Sequence, residues 1–178
     1  MKQYWEIDGW FGEDLRHVYD YIIERTPSGG SFVELGAWLG SSTAYLIDNT
    51  EDIDITVIDS WKGSNSEIDT NHKLAKTENV LELFLENMGD RKFNYHQGLA
   101  EELVHNFEDE SIDTVLIDLD HSYESVYRDI SLWLPKVKKG GILAGDDYRE
   151  AFPGVRKAVY ELIPESLIYH YGWIYFKK

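Results

Sequence analysis

The chain contains no cysteine, which excludes disulfide stapling, thiol catalysis and zinc–thiolate sites. No apolar run approaches the length of a membrane span. Positive charge is scarce: 17 Lys and Arg stand against 33 Asp and Glu, for a formal net charge of −16. A surface that negative repels phosphate backbones and argues against nucleic acid as a partner. The opening MKQYWEIDGWFGEDL is broken by acids and glycines, so it does not read as a secretory signal. No internal repeat or low-complexity linker is visible. These absences predict a cytoplasmic protein whose partners are neither membrane nor nucleic acid; a homodimer is compatible with them.

What remains is the composition of one folded domain spanning residues 1–178, with 43% hydrophobic and 28% charged residues. Strand-like and helix-like stretches alternate, which predicts an α/β fold with a mostly parallel central sheet. Residues 12–25, within an N-terminal helical segment over 1–28, place Leu15, Val18, Tyr19, Ile22 and Ile23 at helical spacing. Strands are expected over 31–35, 55–60, 93–97, 113–118 and 142–147. Helices are expected over 41–47, 75–88, 99–107, 122–134 and 154–163. Pro135 and the following Lys-Lys-Gly-Gly close the helix over 122–134, and a C-terminal antiparallel hairpin turns at Tyr171-Gly172. Residues 61–74 are polar and without period, and with His72 and Lys73 they read as a lid loop.

Open parallel sheets bind ligands beyond the carboxyl ends of their strands, so the residues at those ends carry the information. The first strand runs into Glu34-Leu-Gly36-Ala-Trp-Leu-Gly40-Ser-Ser42, a glycine-bearing turn that opens a helix. Glycines let the backbone approach a ligand, and helix N–H groups point at the same spot; packing alone also explains such glycines. The spacing differs from G-x-G-x-x-G, which disfavours a dinucleotide. Asp59 ends the second strand, where a carboxylate accepts from two ribose hydroxyls or caps a turn. Asp118 and Asp120 follow the fourth strand; Asp146 and Asp147 follow the fifth. Four carboxylates so close repel one another unless a hard divalent cation compensates, or unless some serve as helix and turn caps. His121 lies among them as a candidate base.

These residues resemble a known family. Phe32-Val-Glu34-Leu-Gly36-Ala-Trp-Leu-Gly40-Ser-Ser42 is similar to the first motif of class I S-adenosylmethionine-dependent methyltransferases, closest to the catechol and caffeoyl-CoA type. Asp118-Leu-Asp120-His121-Ser-Tyr123 and Gly145-Asp146-Asp147-Tyr148 resemble the macrocin-type sugar O-methyltransferases. The likeness covers roughly residues 30–160 and implies a Rossmann-like three-layer sandwich. It implies that Glu34 holds the methionine end of S-adenosylmethionine, directly or through water, with Gly36 and Ser42 lining that pocket. It implies Asp59 on the ribose, Ser60, Trp61, Gly98 and Ala100 around the adenine, and Asp118 also at the cofactor. It further implies Asp118, Asp146 and Asp147 as ligands of a divalent metal, magnesium by type, with Asp120 or His121 as the catalytic base. The implied reaction is metal-assisted methylation of a small hydroxylated acceptor such as a sugar or natural product. A metal-independent methyltransferase and a non-catalytic cofactor-binding protein are the alternatives. Trp5, Trp10 and Phe11 are candidates for an acceptor wall or for packing.

Overall fold

In the computed structural model, which describes residues 1–63, 76 and 78–178, apolar spacing becomes layers. Helix α1 (Glu13–Ile23) buries Leu15, Val18, Tyr19 and Ile22, a stripe at i, i+3, i+4 and i+7. Glu13 and Asp14 occupy its first turn, where carboxylates complement the helix dipole. Strand β1 (Ser31–Leu35) leads into α2 (Ser41–Asp48), and β2 (Asp54–Asp59) follows. Helix α3 (Val80–Met88) is capped by the Asn79 side chain, which accepts from Glu82 N, and precedes β3 (Asn94–Gln97). The short α4 (Ala100–Leu103) runs through a 3₁₀ turn towards β4 (Ile112–Ile117). Helix α5 (Tyr123–Trp133) is capped by Ser122, whose hydroxyl accepts from Ser125 N. Strand β5 (Val137–Gly145), helix α6 (Pro153–Leu162), and strands β6 (Leu167–Tyr169) and β7 (Gly172–Phe176) complete the order. The expected lid over 61–74, with His72 and Lys73, falls almost wholly outside the described residues, as does the start of the helix expected at 75.

The seven strands lie in the order β3-β2-β1-β4-β5-β7-β6. β1 to β5 are parallel, and β7 runs antiparallel to both β5 and β6. Strand residues alternate between two cores. Phe32, Val57, Leu116 and Ala144 face α1, α2 and α3, whereas Val33, Leu35, Ile58, Val115 and Leu143 face α5 and α6. This is the Rossmann-like sandwich expected.

One boundary differs from the sequence reading. The stretch Lys138–Gly141 does not end a helix; it lies inside β5, which pairs from Val137 to Gly145 with a register shift opposite Ile112 and Thr114. Its residues are too polar to announce a strand. A Cβ on Gly141 would stand 2.7 Å from Asp113 O, so the irregular pairing there requires glycine.

The chain moves outward from β1 to β3, then returns across the sheet to β4. The crevice between the carboxyl ends of β1 and β4 is therefore the switch point. Register aligns Leu35 with both Ile58 and Ile117, and Ile117 with Gly145. The next residues, Gly36, Asp59, Asp118 and Asp146, consequently share one rim.

Candidate functional site

The turn after β1 is built by packing as much as by ligand space. Gly36 has φ +90, and a Cβ there would fall 1.8 Å from Asp118 O. Gly40, also left-handed, has its Cβ position filled by Met88 and Phe84. Both glycines thus bring the turn against its neighbours rather than opening a hole in it. Asp59 then pins the turn: Oδ2 accepts from Ala37 N at 2.8 Å and Trp38 N at 2.9 Å, and Oδ1 accepts from Trp61 N at 2.7 Å. The carboxylate expected at the ribose is already the anchor of the cofactor loop.

Glu34 points the other way. It is fully buried; Tyr19 Oη donates to its Oε1 and Thr43 Oγ1 to its Oε2, each at 2.6 Å. Burial raises its pKa, against hydrogen bonds from Ser42, Thr43 and Tyr19 that lower it. Both oxygens are taken by protein donors, so Glu34 ties α1 and α2 to β1 beneath the turn. Tyr19 and Thr43, the partners in this tie, were not singled out in the sequence because one looks like a core position and the other like a helix residue.

The remaining expected cofactor residues surround the same rim. Trp61 is buried with φ +51, packs on Phe84 and Tyr95, and donates Nε1–H to Trp38 O at 3.0 Å. Ser60 Oγ accepts from Lys62 N at 3.2 Å. Gly98 N donates to Asp59 O at 2.9 Å, and Ala100 is buried in the second core. Of the N-terminal aromatics, Phe11 packs against Tyr4, Tyr19 and Tyr45, whereas exposed Trp10 sits 5.8 Å from Trp38 in the cofactor turn.

Beyond β4 and β5 the chain brings Asp118, His121 and Asp147 together, with one potential ligand atom from each within 4.8 Å of the others. His121 Nε2 lies 2.9 Å from Asp147 Oδ2 and 3.6 Å from Asp118 Oδ1. Burial opposes charge on that imidazole, yet the two carboxylates prevail and push it up to about 10. Phe152 packs on its ring at 4.6 Å, and Arg149 holds Asp147 Oδ1 at 2.5 Å. Asp147 adopts φ +61, uncommon for a residue with a Cβ, and this turns its carboxylate inward. His121 therefore stands in the triad where the resemblance implied Asp146. Asp146 remains alongside; burial, then repulsion from Asp118 and Asp147, pushes its pKa up to about 8. Asp120 caps the approach to α5, with Oδ1 accepting from Ser122 N at 2.8 Å. Burial alone would raise its pKa, but the hydrogen bonds from Ser122 and Ser125 leave it lowered.

The two carboxylates suit a hard divalent cation, whereas the imidazole nitrogen beside them suits a borderline transition metal. Burial first, and repulsion from Asp118 and Asp147 second, raise Asp146, and a cation there would relieve the repulsion.

Comparison with known proteins agrees with this layout. A family model described as a methyltransferase domain matches residues 33–148, from β1 through the acidic centre. Protein R132 of Acanthamoeba polyphaga mimivirus is 25% identical over 168 residues, covering 82% of this chain and 69% of its own. Among solved structures, the O-methyltransferase NovP superposes with a TM-score of 0.66 at 21% identity, over 94% of this chain and 81% of its own. A Corynebacterium glutamicum protein gives a TM-score of 0.65 at 14% identity, over 97% and 84%. A Bacillus cereus O-methyltransferase in complex with SAH gives 0.57 at 19% identity, over 92% and 80%. Among the described residues no helix is long and apolar enough to cross a membrane. The chain belongs to the methyltransferase-domain family and is a class I S-adenosylmethionine-dependent methyltransferase.

Proposed function

We propose that the chain transfers the methyl group of S-adenosylmethionine to a hydroxyl of a small acceptor, a sugar or natural product, with the help of a divalent cation of the magnesium type. The observation that carries this reading is the Asp118–His121–Asp147 triad beside the crevice of β1 and β4. Asp118 and Asp147 would hold the cation, with His121 or Asp146 completing the set. A cation there would lower the pKa of the acceptor hydroxyl and stabilise its oxyanion.

The protein's own groups do the rest. Asp59 holds the turn from Ala37 to Trp38 in place, and the ribose would be received beside that anchor. Glu34 fixes the start of α2 beneath that turn through Thr43. The acidic rim suits the positive sulfonium of the methyl donor. Of the two candidates for receiving the hydroxyl's proton, His121 faces Asp118 and Asp147, whose charge keeps it protonated, so it would act as a base only once a bound cation offsets that charge; Asp120 is turned to the start of α5. NovP and the Bacillus cereus protein are described as O-methyltransferases, and CalS11, at a TM-score of 0.54 and 16% identity, as a TDP-rhamnose 3′-O-methyltransferase. These descriptions support an oxygen acceptor.

A second reading rests on the same contact. An imidazolium already sits between two carboxylates, so His121 can supply the compensating charge itself. The experiment is methyl transfer to a panel of hydroxylated acceptors, before and after chelation of divalent ions. Turnover that falls on chelation and returns with magnesium is expected. Turnover unchanged by complete chelation refutes the cation, and transfer to no hydroxyl refutes the reaction.

A further inference from the structure

Several basic side chains of this acidic protein face carboxylates: Arg91 with Asp48, Arg128 with Glu101, Lys136 with Asp109, Lys138 with Asp113, Arg149 with Asp147. Arg156 and Lys157 are two further cations, side by side and exposed on α6. Among the described residues neither is paired with a carboxylate, and each lies over an aromatic ring instead. The Arg156 guanidinium carbon is 5.8 Å from the Tyr148 centroid, and Lys157 Nζ is 4.1 Å from that of Tyr123. The nearby Glu161 is turned to the Tyr123 hydroxyl, which donates to it at 2.6 Å. A cation over a ring face keeps its charge, and its outward N–H groups remain available. A guanidinium in that position matches the geometry of a phosphate.

These residues also border a depression of the surface. Tyr148, Pro153, Arg156, Lys157 and Tyr160 line an open depression of about 340 Å³. Tyr148 directly follows Asp147, and its N–H is fixed to Tyr171 O at 2.6 Å. The start of α6 is pressed against the other side of the triad: a Cβ on Gly154 would lie 2.8 Å from His121 O. Tyr148, which lines the depression, thus follows a triad residue directly, and the start of α6 lies between the depression and His121. Asp118, Asp146 and Asp147 repel an anion from the acidic centre, so any anionic part of an acceptor must be held outside it.

We propose that Arg156 and Lys157, flanked by Tyr148 and Tyr160, form a subsite for phosphate groups on the methyl acceptor. The acceptor is then a hydroxylated molecule bearing phosphate, as a sugar joined to a nucleoside diphosphate does. The two cations hold the phosphates, the tyrosine rings offer stacking faces to a base, and the hydroxylated part reaches the triad. This inference rests on the hydroxyl-directed reading above.

The test is calorimetric titration of the full chain, saturated with S-adenosylhomocysteine, with uridine diphosphate and separately with pyrophosphate. Saturation keeps the nucleotide out of the cofactor crevice. Saturable binding of uridine diphosphate is expected, weakened at least about tenfold in Arg156→Gln/Lys157→Gln, as befits two charge-assisted contacts. Affinity for S-adenosylhomocysteine stays unchanged in that variant. Pyrophosphate binding with the same loss assigns recognition to the phosphates alone; binding of the nucleotide only adds the tyrosine rings. Neutralising two exposed cations elsewhere, Lys92→Gln/Lys139→Gln, leaves binding intact. Absence of saturable binding by both probes, equal affinity in the Arg156/Lys157 variant, or an equal loss in the Lys92/Lys139 variant overturns the subsite. The titration does not depend on methyl transfer, so failure of the subsite leaves the proposed reaction standing, whereas failure of the reaction leaves a phosphate site without its assigned acceptor.

Discussion

Replacing Tyr19 by Phe removes one hydroxyl from the sealed contact under the cofactor turn. Glu34 has no solvent exposure and receives 2.6 Å hydrogen bonds from Tyr19 and Thr43. Without the first, Oε1 is left buried and short of a donor. Loss of a hydrogen bond to a charged group costs about 1.5–3 kcal/mol. For a chain of this size that corresponds to a fall in Tm of roughly 3–12 °C. The pH dependence carries the sign of the effect. Burial already holds the Glu34 pKa above its unfolded value, so its share of stability is present at low pH and is lost as pH rises through the folded pKa. Removing a donor to the carboxylate raises the folded pKa further, so the deficit is larger at about pH 8 than at about pH 5. Urea unfolding followed by tryptophan fluorescence at both pH values measures it. Thr43→Val should behave alike, and the double variant should depart from additivity by more than about 0.5 kcal/mol, because both hydroxyls serve one carboxylate. A Tyr19→Phe deficit below about 0.5 kcal/mol at both pH values, or one larger at acid pH, refutes this account.

Gly36→Ala places a Cβ 1.8 Å from Asp118 O at φ +90, so we expect a loss above about 4 kcal/mol and no soluble folded protein; a soluble variant with wild-type Tm would contradict the packing role of this glycine. Asp129, buried on α5, has its pKa raised from 3.8 to about 6, chiefly by burial and against the pull of Arg128. The folded state therefore holds its proton more tightly, and about 3 kcal/mol of stability present below pH 4 is lost as pH rises through 6. Asp129→Asn should flatten the urea midpoint between those limits, and an unchanged slope would show that another group sets it.

The strand ends were legible because acids follow apolar runs directly. Asp59, Asp118 and Asp146 each close or follow a stretch whose alternation marks a buried strand, and register then brings them to one rim. The parallel order followed from alternation of elements, and the hairpin from its turn. Glu34 was legible as important but not in what it touches. Its partner Tyr19 sits on an apolar helical stripe, where a hydroxyl leaves no trace in the pattern. Gly36 and Gly40 were legible as turn residues, yet only packing reveals that Asp118 O, Met88 and Phe84 fill the space where side chains would be.

The acidic centre shows where such reading stops for a physical reason. Asp146 and Asp147 are chemically identical neighbours, so composition and spacing weight them equally. The structure separates them through one dihedral. With φ +61 at Asp147, the chain turns just past β5, so that this carboxylate meets His121 and Asp118, and Arg149 braces its far oxygen. Asp146 is left beside the triad, where burial first and the charge of Asp118 and Asp147 second hold it protonated to higher pH. His121 enters because the segment between β4 and α5 is pinned at Ser122 and packed by Phe152 and the start of α6. A run of acids at a strand end therefore specifies how much charge gathers there, while the backbone of a single residue decides which carboxylate joins His121 and Asp118. Arg149 is two residues from the carboxylate it braces, so that decision rests on a contact too local for periodicity to register.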